Sequence, residues 1–396
     1  MSQEKKNIGG EFGFSTRAVH AGNEVDGETG AIRRPITMAN SYELPYDPSD
    51  VNWSGTTGSV YTRNGGANQR YLQDKLKTLE NSQDAVVLAS GVAALSGVFF
   101  AFLQSGEHAV VSDSTYIAAY RLMNELLPGK YGVETTLVDS SNPEEVLKAI
   151  RPNTKLVHIE TPANPTLKVS DIKKIAEIAH NANALLSVDN TFASPFNQRP
   201  IELGADLSIE SLTKYINGHG DAMGGAVFGK TELIDKIKGE AMVNLGGAIS
   251  PFNAWLIMRG VVTLPLRMRQ HNQSALAVAE FLSSHPKVRF VAYPGLKGDP
   301  GHETAKGQMS GFGGVMAFGL KTGHDGHNKF VSRLRIVTNA VSLGHDESLI
   351  VFLGENDERQ YLYPEAFHEG FFRLSVGLED TEDIIADLKQ SLELVQ

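Results

Sequence analysis

The segment SLTKYINGHGD, residues 211–221, places one lysine, Lys214, among Ser211, Thr213, a tyrosine and glycines, directly after the apolar run ADLSIE. A lysine at the mouth of a cleft loses hydration. Its amine then becomes a usable nucleophile, and neighbouring hydroxyls can hold an anion. Other chemistry-bearing residues follow apolar runs in the same way. Ser90-Gly91-Val92 follows VVLA, and free N–H groups at a helix start form an anion site. Tyr116 follows VVSD, where it either stacks on a planar ring or fills space. Asn164 sits between prolines in TPANP, and Asp189 ends LLSV, an acid emerging from an apolar strand that needs a partner.

Those runs are the elements that must position the side chains. DAVVLAS, HAVVSD, VETTLVD, KLVHIET, LLSVDN, DLSIESL and GGAVFG read as strands, separated by helical patterns such as NPEEVLKAI and SDIKKIAEIAHNAN, with Ser170 as its N-cap. QRYLQDKLKTLEN has helical spacing, with Leu72, Leu76 and Leu79 on one face. Strands buried on both faces and joined by helices predict an α/β fold with a mostly parallel sheet, whose functional groups gather at the carboxyl strand ends. Residues 1–60 lack periodicity and read as an arm leaning on a neighbouring subunit. Residues 61–255 form the large domain and 256–396 a smaller α+β domain, with a helical stretch broken or kinked near Pro265.

One amine, one acid, one aromatic plate and an anion cradle on a single sheet edge suit a phosphorylated heteroaromatic aldehyde. Pyridoxal 5'-phosphate, held by a lysine Schiff base with an acid on its ring nitrogen, is that cofactor. A competing pattern is GGAVFGKT, residues 224–231, which matches the phosphate-loop form G-x-x-x-x-G-K-[ST]. Ala226, Val227 and Phe228 read as the strand itself, so a nucleotide-binding protein is the distant alternative. The 12 histidines contain no H-E-x-x-H, so no metal site is expected.

Composition narrows the class. The chain has 396 residues, a net charge of −10, no cysteine and no basic block, which argues against nucleic acid and an anionic membrane surface as partners. The absence of cysteine excludes disulfides and a catalytic thiol, and fits a cytoplasmic setting. The polar start MSQEKKNIGGEF lacks a secretory core. The uncharged stretch AVVLASGVAALSGVFFAFL, residues 85–103, is long enough for a membrane span, but its Ser-Gly interruptions favour a strand, a turn and a buried helix.

Across nearly the whole chain from Tyr61, the sequence resembles the γ-family of pyridoxal phosphate enzymes of sulfur amino-acid metabolism. That family includes cystathionine γ-synthase and γ-lyase, methionine γ-lyase and O-acetylhomoserine sulfhydrylase. The resemblance is carried by YTR (61–63), ASG (89–91), ETPANPTLKV (160–169), VDNTFASP (188–195), SLTKYINGHGD (211–221), SPFNAWLIMRG (250–260), SLGHDESLI (342–350) and RLSVGLED (373–380). It implies the aspartate aminotransferase-like fold type I. Lys214 would carry the cofactor and shuttle protons, Asp189 would face the ring nitrogen, and Tyr116 would stack on the ring and assist the leaving group. The Gly91 and Val92 amides and the Ser211 and Thr213 hydroxyls would hold the phosphate. Tyr61 and Arg63 would reach it from a neighbouring subunit, making the active unit a homodimer and commonly a homotetramer. Arg373, with Ser342 and Asn164, would bind the carboxylate of an amino-acid substrate.

The chain departs from the family at Gly66-Ala67-Asn68, where an Asn-Pro-Thr triplet is usual, and at Ile117-Ala118 after Tyr116. Val60 and Val341 stand where cystathionine-handling members carry acids, whereas Arg121 occupies a position where those enzymes often place an arginine. Apolar walls favour a small γ-substituent over a distal ammonium, which would lose its hydration there. The resemblance therefore points to γ-elimination from methionine-like substrates, with cystathionine γ-lyase or γ-synthase and O-acetylhomoserine sulfhydrylase as alternatives.

Overall fold

The computed structural model describes residues 8–51, 60–354 and 357–395. Two parts of the expected N-terminal arm, residues 1–7 and 52–59, lie outside the described residues. Seven strands form the larger sheet: β1 (Asp84–Leu88), β2 (His108–Ser112), β3 (Glu134–Val138), β4 (Thr154–Glu160), β5 (Leu185–Asp189), β6 (Leu207–Glu210) and β7 (Gly225–Gly229). Their spatial order is β1-β7-β6-β5-β4-β2-β3. β3, β2, β4, β5 and β6 run parallel, and β7 is antiparallel to both of its neighbours, β6 and β1. All seven anticipated apolar runs form these strands.

Both faces of this sheet are covered, which is why its strands read as continuous apolar runs rather than alternating ones. Successive side chains still point to opposite faces. Ala109 and Val111 enter a cluster with Leu95, Val98 and Phe99 of the helix Gly91–Phe102, while Val110 packs with Ile172 and Ile175 of the helix Ile172–Asn181. Residues 85–103 are thus a strand, a turn and a buried helix. No helix among the described residues is long and apolar enough to cross a membrane.

The second sheet contains β8 (Val288–Ala292), β9 (Val315–Leu320), β10 (Thr338–Asn339), β11 (Leu349–Leu353) and β12 (Phe371–Ser375), in the order β10-β11-β12-β9-β8. A mostly parallel large sheet with a smaller C-terminal α+β unit is the expected fold class. The long helix Leu264–Ser284 joins the two cores: Leu264 and Met268 pack into the cluster under β1 and β7, and Ala275, Val278 and Leu282 pack with Phe318 and Phe372.

One local expectation changes and two hold. The helical stretch is broken next to Pro265, into Pro251–Gly260 and Leu264–Ser284, and the proline lies in the first turn of the second helix, where its missing N–H costs nothing. Asp171, not Ser170, caps the helix Ile172–Asn181, with its carboxylate accepting from the Lys174 amide. The Ser170 hydroxyl is instead buried against Ser140. The stretch GGAVFG is the buried strand β7, as its apolar run implied, so Gly224–Thr231 forms no phosphate-cradling loop.

The carboxyl ends of three adjacent strands carry acids: Glu160 on β4, Asp189 on β5 and Glu210 on β6. Gly225 on β7 passes so close to the Ser90 turn that an added Cβ would overlap the Ser90 carbonyl. Gly225→Ala is therefore expected to lower unfolding free energy by about 1–3 kcal/mol in urea titrations; an unchanged midpoint would show that the turn can yield.

Candidate active site

Lys214 follows β6 by a short turn closed by its own amide on the Ser211 carbonyl at 3.1 Å, and its carbonyl accepts from the Gly218 amide at 2.8 Å. The turn aims the side chain back across the sheet edge, where Nζ donates to Ser342 Oγ at 2.7 Å. Burial, and then the nearby Arg373 guanidinium, pull the Lys214 pKa down to about 8. This is the desolvated amine that the sequence suggested.

Arg373 reaches the same place from β12 of the second sheet. Its Nη1 donates to Asn164 Oδ1 at 2.9 Å and its Nη2 to the Ser342 carbonyl at 3.1 Å. Lys214, Ser342, Arg373 and Asn164 are therefore one connected group, drawn from both sheets. A cationic fork beside a nucleophilic amine is an arrangement that can bind a carboxylate and attack or deprotonate a neighbouring carbon.

Behind Asn164 stands Glu160, a residue that sequence reasoning quoted within ETPANPTLKV but gave no role. Its Oε1 accepts from the Asn164 amide at 2.8 Å, and its Oε2 accepts from Tyr116 N at 2.6 Å and Thr115 Oγ1 at 2.9 Å. Glu160 thus ties the Asn164 loop to the Tyr116 turn. The signal that could have found it is the one that found Asp189: an acid closing an apolar strand. Glu160 and Asp189 are register partners on neighbouring strands. Burial raises both pKa values, and Asp189 pushes Glu160 further. Asp189 accepts from the Thr191 amide at 3.0 Å.

Tyr116 precedes the helix Ile117–Arg121 and is 41% exposed. The residues expected to form the anion cradle differ in how the structure engages them. Ser90 caps the helix Gly91–Phe102 through the Ala93 amide, leaving Gly91 and Val92 in the first turn, where amides have no intrahelical acceptor. A Cβ on Gly91 would lie 2.9 Å from Ser211 Oγ, so the Ser211 hydroxyl faces the helix start. The Thr213 hydroxyl, by contrast, is engaged by the Gly224 backbone, 3.2 Å from both its amide and its carbonyl.

Three further candidates stand apart from this group. Arg121 is forked onto Glu358, Nε to Oε1 at 2.9 Å and Nη2 to Oε2 at 3.3 Å, on the wall of a cavity of about 460 Å³ that Ile117 also lines. Tyr61 bridges to Ser41, with the Arg63 guanidinium 5.3 Å from its ring centroid. No contact joins Tyr61 or Arg63 to Lys214 among the described residues. The neighbouring departure, Asn68, is buried and ties the arm down, donating to the Pro35 carbonyl and accepting from the Thr37 amide. Val341 is 75% exposed beside Ser342. Sequence reasoning also missed His345, whose Nε2 lies 3.1 Å from Ser342 Oγ.

In protein freed of any carbonyl cofactor, acylation of Lys214 should rise through a midpoint near pH 8, against 10.5 for an ordinary lysine. Arg373→Ala should move that midpoint upward. Peptide mass spectrometry across a pH series measures both, and a wild-type midpoint at the ordinary lysine value would refute the desolvated amine.

Comparison with known proteins places this geometry. The family model described as Cys/Met metabolism PLP-dependent enzyme matches residues 15–393. A canavanine gamma-lyase of Rhizobium leguminosarum bv. trifolii is 54% identical over 401 residues, covering 100% of this chain and 99% of the relative. An L-methionine gamma-lyase of Porphyromonas gingivalis is 42% identical over 389 residues, covering 96% and 97%. The crystal structure of metB from Corynebacterium glutamicum superposes with a TM-score of 0.90 at 38% identity, covering 97% of this chain and 99% of that one. With a family model spanning nearly its full length, a fold shared with a solved relative and an amine–guanidinium site at the sheet edge, the chain belongs to the pyridoxal phosphate-dependent enzymes of Cys/Met metabolism, the carbon–sulfur lyases and γ-replacing enzymes.

Proposed function

We propose that the protein is a γ-lyase acting on an amino acid with a guanidinooxy γ-substituent, canavanine being the first substrate to test. The observation that carries this reading is the 54% identity to a canavanine gamma-lyase over the whole chain, against 42% to a methionine gamma-lyase. The wall next to Tyr116 supports it. Asp357 and Glu358 line the cavity beside Ile117, and two carboxylates suit a guanidinium-like group better than a methylthio group. Asp357 is held by Arg359, but the Arg121–Glu358 pair is exposed, and such pairs are weak enough to exchange partners. Methionine is the second reading, favoured by the apolar Val60 and Val341.

The residues present fit the family's cofactor. Asp189 is a buried acid with no cation opposite it among the described residues, and a protonated ring nitrogen there would supply the charge that a buried carboxylate needs. The Gly91–Ser211 approach is a cradle that a Cβ would fill. Lys214 would carry the cofactor, the Gly91 and Val92 amides and Ser211 would hold its phosphate with Thr213 behind them, and Tyr116 would cover its ring. Tyr61 and Arg63 would complete the phosphate site of a neighbouring subunit, so a homodimer is the smallest working unit. Bound pyridoxal phosphate supplies an electron sink conjugated to the substrate Cα.

The protein's own part is positional and protonic. Arg373 pairs the α-carboxylate, with Asn164 and the Ser342 backbone holding its guanidinium in plane. Lys214 Nζ removes the Cα proton and serves again at Cβ, for which an amine with a pKa about 8 is suited near neutral pH. Glu160 keeps the Asn164 loop and the Tyr116 turn at fixed separation on either side of the substrate.

Supplying canavanine and methionine separately to the holoenzyme, and measuring hydroxyguanidine or methanethiol release, decides between the readings. A kcat/KM at least about tenfold higher for canavanine is expected, which corresponds to about 1.4 kcal/mol of transition-state preference. The reverse ratio would install methionine, and inertness towards both would refute the proposal. Lys214→Ala should lose turnover together with the visible absorbance of the bound cofactor. Arg373→Ala should keep that absorbance and raise KM by roughly 10–100-fold, the loss of a charged hydrogen-bonded pair; an unchanged KM would remove Arg373 from the carboxylate site.

A further inference from the structure

The Lys214 amine is not the end of its hydrogen-bond chain. Ser342 Oγ accepts from Lys214 Nζ at 2.7 Å and stands 3.1 Å from His345 Nε2; with the imidazole in its Nδ1–H tautomer, the hydroxyl donates to that nitrogen. The histidine is half-buried rather than sealed in the core. Three features hold this line in place. Ser342 has φ 90°, a left-handed backbone that a non-glycine residue adopts only under constraint, and it turns Oγ between the two nitrogens. Gly344, at φ 70°, passes so near Tyr215 that a Cβ would lie 2.8 Å from the Tyr215 amide, locking the 342–345 loop against the residue that follows Lys214. The Gly344 amide donates to Ser375 Oγ at 2.9 Å, anchoring the loop to β12 beside Arg373.

We propose that His345 is a positioning residue that relays protons, through the Ser342 hydroxyl, between the Lys214 amine and solvent. The role deepens the proposed γ-elimination, which it presupposes, because an amine that takes protons from more than one substrate carbon must be unloaded between uses. In the step, a Lys214 Nζ–H bond breaks as a bond forms to Ser342 Oγ, and the Ser342 hydroxyl proton passes to His345 Nε2. Positive charge moves from ammonium to imidazolium, and no electrons are gained or lost. The reverse transfer returns a proton to the amine.

The charges around the ring agree with an acceptor. Burial lowers the His345 pKa and the Lys214 charge lowers it further, against Asp346 and Glu347 on its own loop. Both effects favour the neutral ring, whose Nε2 accepts in the Nδ1–H tautomer. The Gly220 turn packs on the far side, where a Cβ would sit 3.1 Å from Nδ1, and its backbone brings no charge to that edge.

The test uses norvaline, which has a removable Cα proton and no leaving group, so it reads proton transfer whichever substrate the enzyme prefers. In D2O the wild-type holoenzyme should exchange the Cα proton, and His345→Gln, which keeps a polar contact to Ser342 but cannot ionise, should exchange it about tenfold more slowly. Norvaline affinity should not change, and the acid limb of the exchange-rate profile should lose the contribution of imidazole protonation and keep only that of the Lys214 amine. Free imidazole should restore part of the rate to His345→Ala. Wild-type exchange and an unmoved pH profile in His345→Gln would overturn the relay. A second readout needs neither cofactor nor turnover: the imidazole of His345, followed by NMR in cofactor-free protein, should titrate at higher pH in Lys214→Ala than in wild type. An unchanged titration would mean that ring and amine are not coupled. Loss of canavanine and methionine turnover with normal norvaline exchange would defeat the substrate assignment and leave the relay standing.

Discussion

A single desolvated amine sets the terms for the rest of the molecule. Lys214 can hold a low pKa only if water is excluded from Nζ while a cation stands nearby, and both conditions require two separate sheets to meet at one point. The large sheet brings the lysine to a carboxyl strand end. The second sheet brings Arg373 and Ser342. Neither half contains the site by itself, and the helix Leu264–Ser284, packed into both cores, connects them.

The same constraint accounts for the acids. Three carboxylates close three adjacent strands, where burial works against their ionisation. Glu160 answers with three hydrogen bonds that bind the Thr115–Tyr116 turn and the Asn164 loop together. Among the described residues Asp189 has only Thr191, which leaves it the acid best placed to meet a cationic ring. Two side chains of the same chemistry, on neighbouring strands in register, thus have different uses because their immediate partners differ.

Much of this was legible in the sequence, and the failures have physical causes. The seven strands of the large sheet announce themselves because burial on both faces demands unbroken apolar runs. β10 and β11 do not: β10 is two exposed residues, and β11 is a short run after a polar loop, whose place depends on pairing with β12. Ser170 and Asp171 are adjacent residues with equal capacity to cap a helix, and only the buried hydroxyl of Ser140 decides between them. Lys214, Asp189, Asn164 and Arg373 could be named from local context and family resemblance. The pairing of Arg121 with Glu358, 237 residues away, and of Ser342 with His345 and Lys214, could not, because no local signal records which loop closes over which strand end.

The central claim is that the buried amine at position 214 is the point of cofactor attachment. Borohydride reduction of the purified holoenzyme, followed by proteolysis and peptide sequencing by mass spectrometry, tests it most directly. The account predicts a phosphopyridoxyl adduct confined to the peptide containing Lys214. An adduct on another lysine, or none on a protein that retains its colour, would contradict it.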